Sequence, residues 1–190
     1  SDAMVQGGVE MAPTEKKDPT KASIFFLNGE EHRHRRAAIA RFFTPKAIAT
    51  RHMKVMQENS DALVAEFRKN GQALLDDLSL RMAASVIAEV VGLPNHNLKA
   101  MSRRIEGISQ TTKAARGGLW KLLATVLAQA HVLAFFLIDV RPAIAARRTK
   151  RQEDVISRLL DEGRSNLEVL VECSTFGMAG MTTTREFIVV

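Results

Sequence analysis

Two stretches of this sequence hold residue types whose spacing could do chemistry. The first is Glu30-Glu31-His32-Arg33-His34-Arg35-Arg36. His32 and Arg36 are four apart, so on a helix they share one face. Two donors on one face suit a carboxylate, which a guanidinium grips through two parallel bonds. His34 lies two residues from His32 and faces elsewhere, so the two are not a helical metal pair. Charge alone reads the same stretch as a solvated, basic helix start. The second stretch is Phe176-Gly177-Met178-Ala179-Gly180-Met181-Thr182-Thr183-Thr184. Its glycines and threonines run against helix propensity in an apolar setting. Glycine admits close approach to the backbone. A threonine hydroxyl can bond the carbonyl one turn back and bend the helix. A tight helix–helix contact accounts for the same residues. Cys173, between Glu172 and Ser174, reads as a small packing residue.

The elements that must position these groups are helical nearly throughout. Gly29-Glu30-Glu31 opens a helix that runs to about Phe43, and Thr44-Pro45 starts the next. Met53, Met56, Leu63 and Phe67 give that second helix one apolar face, and Asn70-Gly71 stops it. Leu75, Leu78, Met82, Val86 and Val90 form a stripe on a third, ended by Gly92-Leu93-Pro94. A polar, basic helix follows over about 98–111. Gly117-Gly118 precedes a long apolar one over about 119–146, whose tail of Arg147, Arg148, Lys150 and Arg151 suits a helix C-terminus. A short helix spans about 153–161, and Ser165 or Asn166 caps the last, which reads as cut in mid-course at Val190. Residues 23–27 are the one short apolar run that could be extended.

The chain has 190 residues, 46% hydrophobic and 25% charged, with a net charge of +6. That suffices for one core and excludes a disordered tail. A single cysteine excludes a disulfide scaffold. Basic charge permits nucleic-acid binding, but Trp120 is the only Trp, there is no Tyr, and no recognition-helix signature is present. Ser1-Asp2-Ala3 ahead of Met4 reads as a scar of tag removal, and residues 1–20 as a flexible leader without a signal peptide. Cytoplasmic residence is expected. Residues 122–138 carry no formal charge, at the lower edge of a spanning length. Thr125, Gln129 and His131 favour a long buried helix in a soluble protein over a membrane span.

The two stretches, in this order, resemble the cytochrome P-450 family of heme-thiolate monooxygenases over about residues 25–190. Gly29 to Arg36 followed by Phe42-Phe43-Thr44-Pro45 looks like the family's C helix, where a His-x-x-x-Arg pair holds the heme propionates. The resemblance assigns that role to His32 and Arg36. Val86 to Pro94 looks like the end of helix E, residues 98–148 like helices F and G, and Asp154 to Leu160 like helix H. Ala179-Gly180-Met181-Thr182-Thr183-Thr184 is similar to the I-helix motif Ala-Gly-x-Asp/Glu-Thr-Thr. The resemblance makes Ala179 and Gly180 a groove beside the heme and Thr183 the residue of proton delivery. It sets Thr182 at the usual acidic position, where a hydroxyl cannot supply a carboxylate's charge.

The resemblance therefore implies an all-α, partial cytochrome P-450 fold, helices C to I. It lacks the heme-ligand loop Phe-x-x-Gly-x-x-x-Cys and most of the sheet. Residues 21–190 are expected to form one incomplete domain. The parent family uses heme, a small organic substrate and a redox partner. This chain alone is expected to be inactive, to hold no metal and to bind no cofactor of its own, with His32 and Arg36 able to hold added hemin only weakly and without a thiolate ligand. Without the family's usual cover over the last helix, Leu167, Leu170, Val171, Phe176, Met178, Ile188 and Val189 are expected to lack partners. A homo-oligomer is expected, and neither nucleic acid nor membrane is expected as a partner. The alternative is a non-catalytic helical module that self-associates through exposed apolar faces.

Overall fold

A computed structural model describes residues 23–94, 96–113 and 119–189. The leader expected over 1–20, the Gly117-Gly118 break and Val190 lie outside them. Ten α-helices account for most of the described chain: α1 Gly29–Ala40, α2 Pro45–Ala47, α3 Met53–Asn70, α4 Leu75–Val91, α5 Leu98–Lys113, α6 Leu119–Phe135, α7 Arg141–Thr149, α8 Val155–Asp161, α9 Asn166–Gly177 and α10 Thr183–Val189. No strand occurs among the described residues, and 23–27 forms a 3-10 turn over Ile24–Phe26 rather than an extended run. Three of the joints are π-helical: Ile48–His52 links α2 to α3, Phe136–Val140 links α6 to α7, and Met178–Thr182 links α9 to α10. Each pair of helices so joined is one rod.

The helix boundaries follow from local chemistry. Thr44 accepts the Ala47 N–H at 3.2 Å, with Pro45 in the first turn. Gly71 and Gly92 close α3 and α4 in the left-handed conformation, at φ 71° and 93°. A capping box opens α9: Ser165 Oγ accepts the Glu168 N–H, and Glu168 Oε2 accepts the Ser165 N–H at 2.8 Å.

Small residues decide where the core sits. Ala83, Ala84, Ser85 and Ala88 are buried on α4, so neighbouring helices approach its backbone closely. Around them pack Val91, Ile105, Phe135, Val140, Ile156, Val169, Cys173 and Met181. The stripe expected on α4 is displaced by this contact. Leu75 is exposed, Leu78 and Met82 are half-buried, Val86 packs against the core and Val90 is buried in it, while the alanine face is the more completely covered. On α3, Leu63 is buried whereas Met53 and Phe67 are exposed. Of the apolar residues expected to lack partners on the last rod, Leu170 is buried and Phe176 and Met178 pack against the core. Leu167, Ile188 and Val189 are exposed.

The long apolar helix departs most from expectation. Residues 122–149 form a helix long and apolar enough to cross a membrane, yet only 22% of its most apolar window is buried. It is not the buried core helix that its composition suggests. It touches the rest of the molecule along one stripe, where Ala128, Phe135, Val140, Ala143 and Ile144 are buried.

Two partly buried ion pairs fix the second half of the fold. Arg104 on α5 grips Asp139 through Nε and Nη2, at 2.7 and 2.8 Å. Arg147 on α7 pairs with Asp154, which is fully buried and caps α8 by accepting the Ser157 N–H at 2.7 Å. Gly92 is required beside this pair, because a Cβ there would lie 2.5 Å from the Asp154 carboxyl. Removing one partner of a buried pair strands the other charge. Asp154→Ala is therefore expected to destabilise the chain by about 3–5 kcal/mol. Asp154→Asn, which keeps the cap, should cost less. Urea unfolding followed by circular dichroism measures both.

Candidate heme-edge site

Helix α1 divides its residues between two environments. Arg35, Ile39 and, just beyond the helix, Phe42 point into the protein and are buried. His32, half-buried, and Arg36, exposed, point the other way. They line a cleft of ≈ 580 Å³ whose other walls are Ile24, Phe25, Ile39, Ala40, Phe43 and Phe176. Among the described residues no carboxylate forms an ion pair with either side chain. Phe43 stacks on Phe176, ring centroids 6.4 Å apart, which ties the end of α1 to the end of α9. The first stretch thus meets the second at Phe176 alone; Ala179, Gly180, Thr182 and Thr183 do not line this cleft.

Beyond Phe176 the rod widens into its π turn, a local geometry found often at functional sites. Ala179 and Thr183 are exposed, and the Thr183 hydroxyl donates to the Ala179 carbonyl. Thr182 is half-buried, and Met181 between them is buried. Gly180 faces another way. A Cβ on it would run into Cδ1 and Cγ1 of Ile87 on α4. Its missing side chain serves the contact of this rod with α4. Cys173 is fully buried in mid-helix, and burial, then Glu172 and Asp154, pushes its thiol up. It presents no thiolate to the cleft. No group of three His, Cys, Asp or Glu side chains could hold a metal ion among the described residues.

A polar network that composition hides holds α1 against α9. Arg35 donates to Glu31 at 2.8 Å and lies 3.5 Å from Glu172, both Arg35 and Glu172 being buried. Glu172 Oε1 also accepts the Ile24 N–H at 3.0 Å, and Ser23 bonds Thr175 through their hydroxyls at 2.8 Å. These bonds fasten the Ile24–Phe26 turn, one wall of the cleft, to α9. Burial raises the pKa of the Glu172 carboxyl, against the Ile24 N–H and then Arg35, which lower it. Its second oxygen is buried without a hydrogen-bond partner. Sequence reading missed both residues. The signals were there: Arg35, Ile39 and Phe42 follow helical spacing, and Glu172 interrupts an otherwise apolar run.

The cleft suits one edge of a porphyrin: an imidazole and a guanidinium on one rim as donors for propionates, and aromatic and aliphatic walls for the ring. The described residues offer no thiolate for its iron.

No family model matches the chain. It is 24% identical over 170 residues to the biotin biosynthesis cytochrome P450 of Bacillus subtilis (strain 168), covering 87% of this chain and 42% of that protein. Among solved structures, P450BioI in complex with an acyl carrier protein ligated to hexadec-9Z-enoic acid superposes with a TM-score of 0.66, at 21% identity. That match covers 87% of this chain and 42% of that one. CalO2 superposes with a TM-score of 0.69 at 22% identity, covering 84% and 40%.

Two expected outcomes follow from this geometry. A folded-state carboxyl pKa above its unfolded value means that the native state keeps a proton the unfolded chain releases. The stability this contributes is present below the unfolded pKa and is lost as pH rises through the raised one. Glu172→Gln removes the titration, so the melting temperature of the parent should fall relative to the variant as pH rises through that window. Calorimetry from pH 4 to 7.5 reads the difference.

Gly180→Ala should destabilise the parent, because overpacking costs about 1–3 kcal/mol. In an Ile87→Ala background the same change should stabilise by about 1 kcal/mol, the gain in helix propensity. A double-mutant cycle checks this inversion. The chain carries a partial, all-α cytochrome P450 fold and is similar over most of its length to a curated member of that family, of which it spans about two-fifths.

Proposed function

We propose that the chain is the C-to-I-helix portion of a soluble, cytoplasmic bacterial cytochrome P450. The whole protein's activity is heme-dependent monooxygenation of a small organic substrate, with electrons from a redox partner. The cleft shared by His32, Arg36, Phe43 and Phe176 carries this reading, because it sets the paired donors of the first motif against Phe176, the residue that leads the second, on one largely apolar cavity. When bound, the heme supplies the oxygen-activating iron. His32 and Arg36 hold its propionates through charge-assisted hydrogen bonds. Ala179 leaves the last rod open on its exposed side, and Gly180 sets that rod's depth against α4. The Thr183 hydroxyl delivers protons. Thr182, at the position of the usual acid, contributes a neutral hydroxyl to that relay. The fatty acyl carrier protein held by P450BioI supports a lipid-like substrate class as one candidate.

By itself the 190-residue chain is inactive, because its one cysteine is buried in mid-helix away from the cleft. A second reading, a non-catalytic helical module that self-associates, draws support from the exposed apolar length of α6.

Hemin titration of the chain, followed by absorbance, tests the first reading. Binding should be retained, and His32→Ala with Arg36→Ala should weaken it at least tenfold, since a hydrogen bond to a charged group contributes about 1.5–3 kcal/mol. The reduced carbon monoxide complex should lack the absorption of a thiolate-ligated heme. Unchanged affinity in the double variant would leave the basic face with no role in binding.

A further inference from the structure

On the side of α6 turned away from α5, exposed apolar residues follow a heptad. Leu123, Val126, Ala130, Leu133 and Leu137 recur at spacings of three and four, and all five are exposed. That alternation is the seam of a two-helix coiled coil. Leu122 and Leu127 flank it, also exposed. The opposite side of α6 is taken. Gly107 of α5 lies against the His131 ring, where a Cβ would come within 2.6 Å, and Arg104 holds Asp139. Helix α6 therefore cannot turn its seam inward.

We infer that this seam is the interface of a symmetric dimer, in which α6 pairs antiparallel with α6 of a second copy about an axis near Ala130. Area, charge and side-chain size select that occupant. With exposures of 45–61% for Leu122, Leu123, Val126, Leu127, Leu133 and Leu137, the face leaves on the order of 600 Å² of apolar surface per copy. That is the upper end of what a monomer shows, ~300–600 Å². It approaches the ~800 Å² that each partner of a stable dimer covers. Residues 122–138 carry no charge, so self-pairing meets no repulsion along the seam.

The exposed cations Arg141, Arg148 and Lys150 set the direction. A parallel pair would lay these cations side by side. At ~1.5 Å per residue, an antiparallel pair holds the two Arg148 side chains about 50 Å apart, far beyond the ~8–10 Å range of unscreened charge. At the axis Ala130 meets Ala130 of the second copy, and its small side chain lets the backbones approach. Leu123 then packs against Leu137 of the second copy.

A lipid surface is the weaker occupant. Surface-lying helices border their apolar face with basic residues, and residues 122–138 offer none. A spanning α6 would carry α5 with it, including exposed Lys99 and Arg103. This inference gives the self-association reading its surface and geometry, and it uses none of the residues assigned to heme.

Sedimentation equilibrium of the chain from 0.1 to 100 μM should show a monomer–dimer equilibrium. Ala130→Arg sets two cations against each other at the axis and should shift the dissociation constant at least a hundredfold, with unchanged helical circular dichroism. Leu133→Glu should do the same if the arginine variant proves insoluble. Under mild oxidation Ala130→Cys should crosslink to a covalent dimer, whereas Leu123→Cys should not. A monomer at 100 μM would overturn the inference, as would a dimer indifferent to Ala130→Arg. Efficient crosslinking through Leu123→Cys would overturn the antiparallel arrangement. Flotation of the chain with phosphatidylcholine vesicles, without dimer in their absence, would assign the face to lipid instead.

Discussion

The approach of Arg35 to Glu172 is the constraint on which the rest of the site depends. It joins α1 to α9 across the buried side of both helices. Burying two charges is costly, and their attraction repays that cost only when further hydrogen bonds complete both groups. Arg35 is completed by Glu31. Glu172 is completed on one oxygen only, by Ile24 N–H. The arrangement is therefore weak as a source of stability and strong as a source of geometry. It admits one register of α1 on α9. That register turns His32 and Arg36 toward Phe176, and through the same Glu172 it sets the aromatic turn that walls the cleft. A hydrophobic pair in its place would hold the helices together without fixing their rotation.

Much of this was legible in the sequence, for reasons that differ from residue to residue. Helix ends were readable because their signals are local: Thr44-Pro45, Asn70-Gly71, Gly92-Leu93-Pro94 and Ser165 act within a turn of themselves. The pairing of His32 with Arg36 was readable from spacing, since neighbours four apart share a face whatever the fold. The partition of burial was not. Leu75 and Phe67 look like core by type and period, yet α4 turns its alanines inward because small residues allow closer packing than large ones fill. Glu172 and Arg35 were hidden by their charge, which composition assigns to solvent. Gly180 was ambiguous between a groove and a contact until the position of Ile87 was known.

The apolar length of α6 shows a different limit. Hydropathy measures what a helix could bury, not what the chain provides to bury it. The α5–α6 pair is anchored at His131 and at Asp139, and both anchors lie on one side. The heptad on the open side is a property of α6 itself.

The three π turns give the fold a tolerance of its own. A π turn holds more residues than an α turn, so each wide segment stores an extra residue within a continuous rod. A single-residue deletion inside Ile48–His52, Phe136–Val140 or Met178–Thr182 can be absorbed by reversion to an α turn, with the flanking helix faces kept. The same deletion in mid-α3 would rotate everything downstream by about 100°, the angle of one residue at 3.6 per turn. Changes of chain length in this lineage should thus concentrate at three places, and one of them carries Ala179 and Gly180.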